Sequence, residues 1–136
     1  MMKWMLNIFR RRLPTSYRQR SFPFNPWLIR YGNDDRELIE FFLKMFADAF
    51  LIKHGQIFFL SPDDKPIDIY HAFCRFLPVD TLELEIFVKE MQRHYAVSID
   101  SKQLKDLTLG QCYEISRKLA NNSMHPTPPL INRSVV

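Results

Sequence analysis

With 46% hydrophobic and 14% aromatic residues, a chain of 136 can close one core, which excludes wholesale disorder and makes a single domain the expectation. Three glycines are too few for the tight turns of an all-β fold, and no apolar run approaches the ~20 residues that a bilayer crossing needs. The net charge of +4 is uneven: residues 1–33 hold seven basic residues and no acidic one, while residues 34–136 hold twelve basic against fifteen acidic. Two cysteines, Cys74 and Cys112, without a secretory leader suit a reduced cytoplasmic protein better than a stapled secreted one.

Met1 to Phe9 is apolar apart from Lys3 and Asn7, and Arg10, Arg11 and Arg12 follow. One reading is a frayed end. The other is an interfacial anchor, peripheral to the inner membrane, in which Trp4 enters the headgroups and Arg10, Arg11 and Arg12 meet anionic lipid. A cleaved signal peptide fits poorly, because the charges follow the apolar run instead of preceding it. Nucleic acid is not expected as a partner, since the basic cluster comes with no recognition motif. Pro14, Pro23 and Pro26 exclude a long helix over residues 14–33, yet Trp27, Leu28 and Ile29 are apolar enough to pack on the domain.

Asn33-Asp34-Asp35-Arg36-Glu37 opens the next helix, with Asp34 and Glu37 at capping-box spacing. Leu38, Phe42, Met45, Ala49 and Ile52 form one stripe, and Phe42, Phe46 and Phe50 form an aromatic row expected in the core. A groove for an acyl chain or a partner helix is the alternative for that row. Gly55 marks the stop after His54. Ile57 to Leu60 reads as short and extended, 61–66 as a turn, and 67–76 as a short helix with Ile67, Tyr70, His71, Cys74 and Leu77 near one side.

Leu84, Phe87, Val88, Met91 and Tyr95 recur at helical spacing, with Asp80 or Thr81 as cap and Glu83 at capping-box distance from Asp80. Asp100 or Ser101 begins a short helix. Thr108 caps a last one, with Leu109, Cys112, Ile115, Ser116 and Leu119 inward. From Asn121 onward the Pro, Ser and Asn content reads as a disordered tail.

The run Leu77-Pro78-Val79-Asp80-Thr81-Leu82-Glu83-Leu84-Glu85 resembles the segment opening the second helix of acyl carrier proteins, where the family has Asp-Ser-Leu. The likeness continues through Tyr95 and the Val97-Ser98-Ile99 run to Leu107-Thr108-Leu109-Gly110-Gln111, similar to the opening of the family's last helix. The chain looks like a divergent small bacterial branch of that family, one to which no activity is assigned. The resemblance implies a 4'-phosphopantetheine arm on the residue at position 81. Here that residue is Thr81, flanked by Asp80 and Leu82, with a bulkier, secondary hydroxyl. Glu83, Glu85 and Glu90 are diluted by Lys89 and Arg93, which weakens steering toward basic partners. Pro78 stiffens the approach.

No phosphate loop, dinucleotide fingerprint or zinc-protease motif is present, and His71, Cys74 and Cys112 lack a fourth partner for a zinc site. The expectation is therefore an all-α fold: a small four-helix bundle resembling acyl carrier proteins over residues 34–120, with a basic Pro- and aromatic-rich leader (1–33) and a disordered tail (121–136). Its core draws on Leu38, Phe42, Met45, Phe87, Met91, Tyr95, Leu109 and Leu119. The function expected is a protein-interaction module, not an enzyme, that lacks the arm and meets its partner through the face of the helix starting at Asp80. Two alternatives stand beside it: a carrier loaded on Thr81, and a peripheral membrane protein anchored by residues 1–12.

Overall fold

The computed structural model describes residues 10–21, 23–73 and 82–124. They are mostly helical, with no strand among the described residues, which agrees with the all-α reading. In chain order the α-helices are α1 (Thr15–Arg18), α2 (Asn25–Tyr31), α3 (Arg36–Phe50), α4 (Pro66–Phe73), α5 (Leu82–Tyr95), α6 (Ser101–Leu104) and α7 (Leu109–Met124). Two 3-10 segments, Asn33–Asp35 and His54–Phe59, flank α3 on either side.

Helix α3 is the centre of the core. Ile39, Phe42, Leu43, Phe46, Ala47 and Phe50 are wholly buried, so the aromatic row is packing and not an open groove. Its most extensive neighbour is α5. Phe42 meets Tyr95, and Phe46 meets Phe87, so the two helices run antiparallel. Leu84, Phe87 and Met91 are the buried side of α5, and Leu109, Cys112 and Tyr113 that of α7. Leu38, expected inward, is 40% exposed. Leu38 shares the side of α3 that buries Met45 and Ala49, but it lies in the first turn, before the level of Phe41 and Phe42 where the end of α5 at Tyr95 packs.

The ends of α3 also differ from expectation. Asp34 and Glu37 form no capping box: the 3-10 turn intervenes, Asp35 is the cap residue, and its carboxylate makes no cap bond. Asp35 instead accepts a 2.8 Å hydrogen bond from the Tyr113 hydroxyl of α7. The helix stops at Phe50, before Gly55, because Leu51 adopts the left-handed conformation at φ 55°. Ile52 N–H then donates to Ala47 O at 2.8 Å and Leu51 N–H to Asp48 O at 3.3 Å, the paired bonds of a Schellman end. Ile57 to Leu60, read as extended, is largely 3-10 helix, which buries Ile57 and Leu60.

Leu13, Phe24 and Trp27 belong to this same core, which therefore draws on both sides of the boundary expected at residue 33. Arg11 N–H donates to Leu51 O at 2.8 Å and Lys53 N–H to Arg11 O at 2.9 Å, a single parallel bridge between Arg11 and Ile52. Leu13 and Trp27 are buried, and the Trp27 indole N–H donates to Leu60 O at 2.8 Å. The ring of Trp27 lies 6.0 Å from Tyr113 and 6.5 Å from Phe42. Pro26 suits the first turn of α2, where no intrahelical N–H bond is lost. Ile29, expected against the domain with Trp27, is 84% exposed, since it faces away from the indole on a short helix.

The two local caps read from sequence are present. Gln103 N–H donates to Asp100 Oδ1 at 2.7 Å while Asp100 N–H donates to Gln103 Oε1 at 3.0 Å. Thr108 and Gln111 repeat that reciprocal pairing at the start of α7, at 2.9 and 3.1 Å. The same end of α7 rests on the turn before α4: Leu109 N–H donates to Asp64 O and Gly110 N–H to Pro62 O, at 2.7 and 2.8 Å. A Cβ on Gly110 would stand 2.9 Å from Pro62 O, so the backbones meet this closely only with glycine. Helix α7 continues to Met124, past the boundary that composition places at Ala120. The side chain of Leu119 and the rest of the tail fall outside the described residues.

Candidate functional site

Asp80 and Thr81, the expected attachment position, lie outside the described residues, as do Cys74 and Trp4. What is described begins one residue later, with α5 carrying Glu83 and Glu85 in its first turn. The helix presents to solvent a stripe at i, i+4, i+7 and i+8: Ile86, Glu90, Arg93 and His94. At ~1.5 Å per residue, His94 is ~18 Å along the axis from the start of α5, so the two ends of the helix are well separated.

That far end forms one wall of a groove of about 310 Å³, whose other wall is α3 with Phe41, Lys44, Met45 and Asp48. His54 closes it from the following 3-10 segment. Two carboxylates sit in it, each beside two basic groups. Asp48 Oδ1 accepts from Arg10 at 2.6 Å and lies 2.7 Å from His54 Nε2. Glu90 lies 3.5 Å from Arg93 and 3.4 Å from His94. Phe41 stands edge-on to His94 at 5.4 Å between ring centres and is half exposed. Sequence alone does not connect these groups. His54 and His94 are 40 positions apart and each looks like a surface residue.

A second, more apolar groove of about 480 Å³ lies past the C-terminal end of α5, over Val97, Ile99, Leu107 and Ile115, with Gln103 and Asp106 on its rim. No charged pair crosses it among the described residues.

Arg10 and Arg11, two of the residues expected at a membrane, are turned into the fold. Arg10 donates to Ile52 O at 3.0 Å and to Asp48, and Arg11 donates twice to Phe50 O, at 3.1 and 3.2 Å. They neutralise the carbonyl end of α3, where positive charge is favoured. Arg12 remains exposed. Among the described residues no helix is long and apolar enough to cross a membrane.

Burial pushes the Cys112 thiol up to about 12, which makes it a poor nucleophile at neutral pH. His71 is exposed on α4, and no cluster of three or more metal-ligating side chains exists among the described residues. Tyr31 is likewise raised to about 12, by burial first and then by its 2.6 Å bond to Glu114. Tyr113 is raised by burial and by its bond to Asp35. These tyrosines join α2 and the 3-10 turn to α7. No family model, curated protein or solved structure matches this chain.

Proposed function

We propose that the chain is an acyl-carrier-like four-helix module that acts through protein contacts made by the outward face of α5, without catalysis and without a phosphopantetheine arm. The observation that carries this is apolar surface left exposed along a charged helix face. Ile86 on α5 is 36% exposed one turn before Glu90, and Phe41 on the adjacent α3 is 51% exposed beside His94, in a groove that Lys44, Glu90 and Arg93 also line. Apolar side chains ringed by polar ones are the ordinary anatomy of a non-obligate interface. Thr81 supports the absence of an arm, because a transferase shaped for a primary hydroxyl meets a methyl beside the oxygen.

The test is intact-mass analysis after incubation with coenzyme A and several phosphopantetheinyl transferases. The expected result is an unchanged mass. A stoichiometric adduct that disappears in Thr81→Val would overturn this reading in favour of a carrier loaded at that residue.

A further inference from the structure

We propose that the groove between α3 and α5 receives an acidic, amphipathic segment of a partner protein, a carboxylate pairing with Lys44 while a neighbouring apolar side chain covers Phe41. This rests on the reading of α5 as a partner-binding face and names the partner's chemistry.

Both carboxylates lining the groove already have basic partners. Even with both imidazoles neutral, Asp48 is matched by Arg10 at 2.6 Å and Glu90 by Arg93 at 3.5 Å. His54 and His94 sit against the same two carboxylates, at 2.7 and 3.4 Å, so neither acid is left to attract a basic partner. Lys44, one turn along α3 from Asp48, lines the groove with no hydrogen bond or ion pair among the described residues. The groove's surplus is thus one ammonium group, with Phe41 three residues before it and Met45 beside it on the floor. Two antiparallel helices with an apolar floor fit a third, amphipathic segment, and the unmatched cation selects acidic ones. A basic segment would meet Lys44 and Arg93 with no free carboxylate to offset them.

The experiment titrates the full chain with a helical peptide of leucine and glutamate, and separately with its twin carrying lysine for every glutamate, followed by two-dimensional NMR. The acidic peptide is expected to shift the signals of Phe41, Lys44, Arg93 and His94. Lys44→Glu should weaken its binding at least tenfold, and Lys44→Arg should retain it. Equal binding of the lysine twin, shifts confined to other surfaces, or no effect of Lys44→Glu would each overturn the proposal. A photo-crosslinker at position 86 separates the two levels. If it captures a partner whose contacting segment is basic, the chemistry assigned here is wrong while the interface reading stands. If it captures nothing and neither peptide binds, both fall.

Discussion

Arg20 and Asp64 face each other through two parallel 2.6 Å hydrogen bonds, across 44 positions of sequence. The aspartate also accepts the Ser61 N–H at 2.8 Å, and its own carbonyl oxygen caps Leu109 at 2.7 Å. One residue, through its side chain and its carbonyl, therefore ties the segment after α1, the turn before α4 and the start of α7. The bonds to Asp64 raise the Arg20 pKa further above its ordinary value. Asp64→Ala is expected to cost about 2–3 kcal/mol in urea denaturation, since the Ser61 N–H loses its acceptor and Arg20 keeps only Phe59 O. Arg20→Ala should cost less, about 1 kcal/mol, because Asp64 keeps Ser61 and the arginine is one-third exposed.

Trp27 tests whether residues 10–31 are part of the core. Its side chain is fully buried against Phe42 and Tyr113 with its N–H satisfied by Leu60. Trp27→Ala should destabilise the whole domain by about 3–5 kcal/mol in a single cooperative transition. A loss of local signal with an unchanged midpoint would show a leader that merely rests on the surface.

Two helix ends hold non-glycine residues in the left-handed region, Leu51 at φ 55° and Ala96 at φ 56°. The backbone strain there is about 1 kcal/mol or more for a residue with a Cβ. Ala96→Gly is expected to raise stability by about 0.5–1 kcal/mol, measured by thermal and urea midpoints. Gly110→Ala should do the reverse, because its Cβ must push Pro62 O away from 2.9 Å.

Alkaline stability follows from the buried protons. Tyr31, Tyr95 and Cys112 are each raised to about 12, chiefly by burial. The unfolded groups ionise near ~10 for tyrosine and ~8.5 for the thiol. A group that holds its proton more tightly when folded stabilises fully below its unfolded value and loses that contribution as pH rises through the folded one. Stability should therefore fall between about pH 9 and pH 12, with tyrosinate absorbance appearing together with unfolding. In a Cys74→Ser background, Cys112 should resist alkylation until urea opens the fold.

What was legible in the sequence is what is decided locally. The reciprocal caps at Asp100 and Thr108 need only a partner three residues on, and the spacing of Leu84, Phe87 and Met91 sets the buried side of α5 without outside help. The end of α3 was not legible, since Leu51 carries no glycine signal. The carbonyls of Phe50 and Ile52 there are satisfied by Arg11 and Arg10, about forty positions away. Those two arginines read as a surface cluster because nothing adjacent in sequence reveals an acceptor. The groove is non-local in another way: Glu90 has Arg93 and His94 on its own helix and Asp48 has His54 six residues on, but the two sets line one groove only when α3 and α5 pack antiparallel.

The central claim is that this domain meets another protein through the outward face of α5, and photo-crosslinking in cells tests it most directly. A photoreactive residue at position 86 should give a defined protein adduct, and the same residue at position 29, on the far more exposed Ile29 of α2, should give none. Equal adducts from both positions, or an adduct from position 29 alone, would contradict it.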